Sequence, residues 1–184
     1  HLAARPGTVQ GLASDSIWAI LEDAQQNLWI GTMGGGLNRV DLTTGAWSYY
    51  TSDPTNRATL NSNFIFSIYQ DRQGTYWVGT DQGINRLDPQ TGACEPVQLS
   101  ALVLSMLEDR AGNFWLGTAI GLYRYDRQSG EYQVYGNDPQ NPSSLSSNGV
   151  SVLREDLQGN LWVGTMNGGL NRFDPQQETF YRYQ

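Results

Sequence analysis

Short stretches with a period of two recur along the chain and predict β-strands. Over Ser16–Glu22, the residues Ile17, Ala19 and Leu21 fall on one face of an extended chain. Glycine or proline interrupts every longer window, so no helix of ordinary length fits the sequence. The pattern therefore predicts an all-β chain of short strands joined by turns.

The strands belong to a unit that occurs four times. Its centre is a tryptophan, an aliphatic residue, a glycine and a threonine, and an aspartate stands six residues before each tryptophan. The four aspartate–tryptophan pairs are Asp23 and Trp29, Asp71 and Trp77, Asp109 and Trp115, and Asp156 and Trp162. The tryptophans are 48, 38 and 47 residues apart, close to the ~40–45 residues of a four-stranded propeller blade.

One copy of the unit reads as four strands. In the first copy we predict strand A at Ser16–Glu22, strand B at Leu28–Thr32, strand C at Leu37–Asp41 and strand D at Ala46–Tyr50. A four-stranded sheet has two apolar faces that it cannot bury alone, and radial stacking of the copies buries them. We therefore predict an all-β β-propeller with four antiparallel four-stranded blades. The tryptophan is expected to wedge between blades, and the following glycine to leave room for the neighbouring blade.

The repeats also divide the chain. Residues 1–10 are interpreted as a linker or an added remnant, and residues 11–184 as the propeller region. The predicted blades cover about 14–51, 62–98, 100–136 and 147–184. The links after blades 1 and 3 match in length and type, whereas the link after blade 2 is shorter. We expect an excised domain whose targeting and partner segments lie outside this sequence.

Composition narrows the classes of partner. The formal net charge is −7, which argues against nucleic acid or an anionic membrane as a partner. No apolar run is long enough to span a bilayer, and we expect no membrane contact by this segment. The single cysteine, Cys94, is expected to be a small buried apolar side chain rather than a reactive thiol.

The inventory of reactive groups argues against catalysis. The only histidine is His1, which removes a Ser-His-Asp triad, a histidine base and a histidine zinc site. The repeated aspartates are interpreted as turn caps, because an active site needs an asymmetric set of groups. The sequence thus predicts no enzyme activity, no cofactor and no metal.

An arginine also recurs in strand C of every copy. The four are Arg39, Arg86, Arg124 and Arg172. We interpret them as partners of nearby aspartates or of blade carbonyl groups. The alternative is a ring of arginines that binds an anion.

The fourth copy carries a legible family motif. Leu145–Pro175 contains Leu-Ser-Ser-Asn-x-Val, then Glu-Asp-x-x-Gly-Asn-Leu-Trp-Val-Gly-Thr, then Gly-Gly-Leu-Asn-Arg-Phe-Asp-Pro. This resembles the two-component regulator propeller repeat, and the resemblance extends from about Gly11 to Gln184. It implies a periplasmic or extracellular sensor region, ahead of a membrane helix and a histidine kinase that lie outside this chain. It also implies signalling in response to a carbohydrate or another small polar ligand.

Ligand-binding residues are expected where the copies differ. In a propeller, the D–A links and the B–C turns share one face, around the central channel. The candidates on that face are Asp15, Asn63, Phe64, Asp81, Gln82, Asn148 and Asn167. Amides, acids and an aromatic ring around a concave mouth suit a sugar or a small polar ligand.

Two other functions compete with a sensor. Propellers of the resembled family usually have more blades, so four copies close alone, belong to a longer arc, or pair as two half-rings. The last arrangement makes an eight-bladed ring from two chains and predicts a self-assembling structural or protein-interaction scaffold. The third function is a propeller lyase, disfavoured because streptogramin lyases, which resemble this chain, depend on histidine chemistry.

Overall fold

The strands form the four predicted blades. The computed structural model describes residues 11–183, so the interpretation of residues 1–10 lies outside the described residues. Sixteen strands in that range form four antiparallel four-stranded sheets, each in chain order. The all-β propeller class is therefore confirmed. The chain divides between Ser100 and Ala101 into two compact units, each made of two blades.

Within residues 11–183 there is no helix with the length and apolar character needed to cross a membrane.

The first unit contains blades 1 and 2. Blade 1 consists of β1 (Ile17–Glu22), β2 (Asn27–Thr32), β3 (Leu37–Asp41) and β4 (Trp47–Tyr50). Blade 2 consists of β5 (Ile65–Gln70), β6 (Tyr76–Thr80), β7 (Gly83–Leu87) and β8 (Cys94–Pro96). The first-copy strands differ from the predicted ones by at most one residue at an end. The first strands of the two blades, β1 and β5, contact each other and form the inner edge of this unit.

The second unit contains blades 3 and 4. Blade 3 consists of β9 (Val103–Glu108), β10 (Phe114–Thr118), β11 (Gly121–Tyr125) and β12 (Tyr132–Tyr135). Blade 4 consists of β13 (Val150–Glu155), β14 (Leu161–Thr165), β15 (Gly169–Asp174) and β16 (Thr179–Tyr183). Here too the first strands of the two blades, β9 and β13, contact each other.

Each unit is held by a tryptophan wedged between its blades. In the first unit, Trp29 of blade 1 packs with Ile65, Tyr76 and Val78 of blade 2 in one buried cluster. A Cβ atom added to Gly31 would lie 2.6 Å from Cγ2 of Ile65. The glycine is therefore needed because the neighbouring blade occupies the space of a side chain.

The second unit repeats this packing. Trp115 of blade 3 packs with Val150, Leu153 and Phe173 of blade 4. A Cβ atom added to Gly117 would lie 2.8 Å from Cγ1 of Val150. In both units the wedge and the close-approach glycine act as the sequence indicated.

Every first strand contains a β-bulge, which the sequence did not indicate. In β1, Ile17 pairs with Thr32 and Ala19 with Gly31, so that Trp18 is the extra residue. The same shift occurs in β5, β9 and β13. A bulge increases the local twist and redirects a side chain, and here it does so at the inner edge of each unit.

The matching links have the same hydrogen bonds. The amide N–H of Asp53 donates to Oγ1 of Thr59, and that of Asp138 donates to Oγ of Ser144. Each link then adds one backbone hydrogen bond to the last strand of the next blade, to Cys94 in the first unit. Cys94 is buried there, and burial raises the pKa of its thiol to about 11, as expected for an apolar role.

Candidate functional site

Three of the predicted ligand residues surround the B–C turn of blade 1. The carbonyl of Asn63 accepts hydrogen bonds from Gly34 and Gly36, and Oδ1 of Asn63 accepts the N–H of Ser52 at 2.7 Å. Phe64 pairs with Met33 in an isolated bridge and is 44% exposed. Asp15 is exposed and precedes Ser16, whose carbonyl accepts the N–H of Met33. Asn63 thus has a structural role, whereas the side chains of Asp15 and Phe64 face solvent.

Asp81 and Gln82 form the B–C turn of blade 2, and both are exposed. The N–H of Gln82 donates to Oγ1 of Thr80 at 3.0 Å, and its carbonyl accepts from Nδ2 of Asn61 at 3.1 Å. The backbone of this turn is therefore anchored, and its side chains remain available to a ligand.

The other two predicted residues belong to the second unit. Oδ1 of Asn148 accepts the N–H of Asn137 at 2.6 Å, which repeats the contact of Asn63 with its own link. Asn167 is exposed in the B–C turn of blade 4, next to Met166, whose N–H donates to the carbonyl of Gly149. The seven candidates thus divide into five in the first unit and two in the second.

Two aromatic residues at the inner edge of the first unit were not among the predicted set. Trp18 and Phe66 are the bulge residues of β1 and β5, and their rings meet edge to face at 5.2 Å between centroids. Trp18 is 57% exposed. The sequence did hold a signal, because both are aromatic at the same position of consecutive copies. Exposed aromatic rings beside polar groups are typical of small-ligand sites.

The four repeated aspartates are engaged in the same structural contacts. In each copy, Oδ2 accepts the indole N–H of the tryptophan six residues later, at 2.7 to 2.9 Å. Oδ1 of Asp23 accepts the N–H groups of Gln25 and Asn27, both at 2.9 Å, which caps the A–B turn. Because all four carboxylates make the same contact with an indole N–H, none of them is singled out as a candidate catalytic acid.

The environments of these aspartates differ between blades. Burial raises the pKa of Asp23, but hydrogen bonds from Trp29, Asn27 and Tyr76 outweigh it and hold the pKa at about 2. Tyr76 belongs to blade 2, and its hydroxyl donates to Oδ2 of Asp23 at 2.7 Å. One carboxylate therefore links the two blades of the first unit.

The observed partners of the arginines within residues 11–183 are not the predicted aspartates and carbonyl groups. Arg86, Arg124 and Arg172 contact the strand D residues paired with them. Arg39 instead donates through Nε to Oδ1 of Asn27 in β2. Arg86 pairs with Glu95 at 3.7 Å, and the guanidinium of Arg172 lies 4.7 Å from the ring centre of Tyr181. In blades 2 to 4 the reason is the antiparallel register, which places a strand D side chain that can contact the guanidinium beside the arginine.

A cavity of about 490 Å³ opens between blades 1 and 2. It lies away from the B–C turns, among strands β3, β4 and β8, the link after blade 1 and the β7–β8 turn. Its lining comprises Arg39, Ser48, Tyr49, Tyr50, Thr51, Thr59, Leu60, Pro89, Gln90, Thr91, Gly92 and Cys94. Arg39 is the charged group of this lining. The sequence did not predict a ligand site at this cavity.

Among residues 11–183, no group of three or more histidine, cysteine, aspartate or glutamate side chains could hold a metal ion.

Two family models match the chain. The model of the SMP-30/Gluconolactonase/LRE-like region matches residues 68–184. The model of the Two component regulator propeller matches residues 11–34. The recognition of two-component regulator propeller repeats is thereby confirmed.

One curated relative is a histidine kinase. Histidine kinase P4 of Formosa agariphila is 32% identical over 70 residues, which are 38% of this chain and 5% of the kinase. The chain thus matches only a small part of that relative's length.

Solved structures are similar over nearly the whole chain. The extracellular domain of a protein described as a hybrid two component system, from B. thetaiotaomicron, superposes with a TM-score of 0.83 at 24% identity. The match covers 98% of this chain and 25% of that one. Virginiamycin B lyase from Staphylococcus aureus superposes with a TM-score of 0.66 at 16% identity, covering 92% of this chain and 55% of the lyase. At these identities the likeness concerns the fold alone.

Proposed function

The chain belongs to the SMP-30/Gluconolactonase/LRE-like region family and carries the two-component regulator propeller repeat, and we propose that it is a sensor or signalling propeller. The observation that carries this proposal is the four-copy repeat. It is supported by the match of the repeat model to residues 11–34 and by the similarity of 70 residues to part of a histidine kinase. We further propose that it works outside the cytoplasmic membrane, in the periplasm or extracellular space. Any kinase activity would reside in segments beyond this chain.

We propose that the propeller is not itself catalytic. Its recurring carboxylates are engaged by indole and backbone N–H groups, which supports a structural role for them. The lyase alternative depends on histidine chemistry, and the sequence contains a single histidine, His1, outside the four repeats.

The ligand is proposed to be a carbohydrate or a small polar molecule that binds at the B–C turns of the first unit. Phe64 and Trp18 offer exposed rings on which a sugar face can stack. Asp15, Asp81 and Gln82 supply exposed polar side chains at the same end of their blades. Apolar rings with a few polar groups are the usual composition of such sites.

A thermal-shift panel of neutral and acidic oligosaccharides tests this function. We expect at least one member to raise the unfolding temperature, because a ligand that binds the folded state stabilises it by mass action. Phe64→Ala should weaken that ligand about tenfold, equivalent to ~1.4 kcal/mol. Leu157→Ala is the matched control, because Leu157 is exposed in the A–B turn of blade 4, at the other end of that blade.

The panel has two adverse outcomes. If no oligosaccharide stabilises the protein, the sensing proposal fails. If Phe64→Ala and Leu157→Ala weaken binding equally, the proposed location at the B–C turns is wrong.

A self-assembling scaffold is the second candidate, and the open face of blade 4 supports it. Leu170 is 40% exposed, whereas the residues at the same position of blades 1 and 3, Leu37 and Leu122, are fully buried. A Cβ atom added to Gly164 would meet Val152 of its own blade, not a neighbouring blade. Because the equivalent faces of blades 1 and 3 are covered by a blade, a second copy of the chain is the proposed occupant.

Light scattering on a sizing column tests this assembly. We expect a molar mass near twice the 20.4 kDa of one chain, which would fit two half-rings. Leu170→Lys should return the mass to that of the monomer, because it places a charge on the apolar face. The control Leu157→Lys should leave the mass unchanged, and a monomeric parent protein would exclude self-assembly.

A further inference from the structure

In the second unit, one carboxylate collects three side chains. Oε1 of Glu178 lies 2.9 Å from an Nη atom of Arg124 and 3.1 Å from the hydroxyl of Tyr135. Oε2 of Glu178 accepts from Nε2 of Gln133 at 2.8 Å. The hydrogen bond from Gln133 is the main reason that the pKa of Glu178 lies below its ordinary value. Glu178 of blade 4 thus places its carboxylate among three polar side chains of blade 3, and we call this set of Arg124, Gln133 and Tyr135 the polar seat.

The first unit has the same seat without the anion. Arg39 pairs across the strands with Ser48 as Arg124 does with Gln133, and Tyr50 stands where Tyr135 does. The position of Glu178 is taken by Gly92, and both residues have positive φ, 54° for the glutamate and 76° for the glycine. The backbone therefore follows the same turn, but no side chain enters the seat.

Within residues 11–183, the groups of the vacant seat have hydrogen-bonding capacity that the protein does not use, although the Arg39 guanidinium also lies 5.4 Å from the ring centre of Trp29. Arg39 donates through Nε to Oδ1 of Asn27 at 2.9 Å, and its two Nη atoms have no hydrogen-bond partner among the described residues. In the same part of the chain, the hydroxyls of Ser48 and Tyr50 also have none. A guanidinium prefers a carboxylate, which it binds with two parallel hydrogen bonds.

The seat opens into the 490 Å³ cavity of the first unit. Arg39 is the charged side chain of the lining, and Ser48, Thr51, Thr91 and Gln90 supply hydroxyl and amide groups. A cavity of this size holds a ligand larger than a single carboxylate. A hydroxyl-rich wall beside one cation suits a sugar that carries an acid group.

We propose that the cavity between blades 1 and 2 binds a sugar acid, whose carboxylate takes the place that the side chain of Glu178 occupies in the second unit. The carboxylate is held by Arg39, Ser48 and Tyr50, and the sugar lies against Thr91 and the amide of Gln90 in the β7–β8 turn. The inference rests on the proposed ligand-sensing function and gives it a second site, away from the B–C turns.

Isothermal titration with sodium D-galacturonate, D-galactose and sodium acetate tests the site. We expect galacturonate to bind with a Kd in roughly the millimolar range or tighter, and galactose and acetate to bind at least about tenfold more weakly. Arg39→Gln should abolish the preference for the acid over the neutral sugar. Equal binding of galactose and galacturonate would overturn the proposal, and equal binding of acetate would overturn the sugar part of it.

Two reciprocal variants exchange the seats. Gly92→Glu supplies the built-in carboxylate of the second unit and should abolish galacturonate binding while the chain stays folded, because a glutamate occupies this turn conformation in blade 4. Glu178→Gly should create a second galacturonate site in the second unit. Near-ultraviolet circular dichroism checks that each variant is folded. Undiminished binding by folded Gly92→Glu would overturn the proposal.

Failure of the sugar-acid site can be distinguished from failure of the proposed sensor function. If galacturonate does not bind but a neutral oligosaccharide stabilises the protein, the sugar-acid site is wrong and the sensor proposal stands. If no sugar of any kind binds, both fail.

Discussion

Replacing Trp29 by alanine is expected to lower the free energy of unfolding by about 3–5 kcal/mol. Trp29 is fully buried, and its ring lies 4.8 Å from that of Tyr76 of blade 2 and 5.6 Å from that of Tyr50. Truncation leaves a cavity between the blades and removes the indole donor from Asp23. Urea unfolding followed by circular dichroism and by fluorescence measures the loss.

Trp162→Ala is the matched control. Trp162 has the same position in its blade and the same hydrogen bond to an aspartate, at 2.7 Å. It is only half-buried, and Tyr183 of its own blade is its ring partner. We expect a loss of about 1–2 kcal/mol, because less apolar area returns to water. Equal losses for the two variants would show that packing between blades is not what the tryptophan contributes.

The comparison of these tryptophans shows what the repeat pattern can predict. Residue identity and spacing placed the strands of the first copy within one residue of their observed ends. They also predicted the wedge and the close-approach glycine, because Trp29 and Gly31 act within one repeating geometry. They did not separate Trp29 from Trp162, since burial depends on the blade that follows and not on the motif itself.

The bulges were missed for a related reason. The period of two in Ser16–Glu22 is compatible with a regular strand, and the extra residue at Trp18 shows only in the pairing with β2. A bulge changes which side chains share a face. The pair of the exposed Trp18 and the half-buried Phe66 therefore could not be assigned to the inner edge from the sequence pattern alone.

The candidate site stays a prediction. The search for differences between copies selected side chains that are exposed in the structure, such as Asp81 and Asn167, and it also selected Asn63, which holds the link through its amide oxygen. An asparagine side chain serves turns and ligands equally well, so residue type does not decide its role. The contrast between Gly92 and Glu178 was visible in the aligned C–D turns. Its significance for ligand binding could be recognised only from the structure, which places an arginine and a tyrosine of the neighbouring blade beside this turn position.

Asp23→Ala is expected to lower the free energy of unfolding by about 3 kcal/mol, the range for removing a buried hydrogen-bonded charge. The carboxylate is buried and accepts from the turn backbone, from Trp29 and from Tyr76. Without it, an indole N–H and a phenol hydroxyl lose their acceptor between two blades. Chemical unfolding at neutral pH measures the loss, and Asp23→Asn should recover part of it, because its amide oxygen still accepts.

The effect of Asp23 should depend on pH in a defined direction. Its pKa falls from the ordinary value of 3.8 to about 2 in the folded chain, so the folded state holds the proton less tightly than the unfolded state. The stabilisation is then complete above about pH 4 and is lost as the pH falls towards about 2. The difference between the parent protein and Asp23→Ala should narrow over that window, whereas a constant difference would contradict a role for the ionised carboxylate. Asp156→Ala is the comparison at neutral pH. Asp156 is less buried and, among residues 11–183, accepts no hydrogen bond from a tyrosine of another blade, so its loss should be smaller there. Because hydrogen bonds from Trp162 and Asn160 lower its pKa to about 2 as well, this smaller effect should narrow over the same pH window.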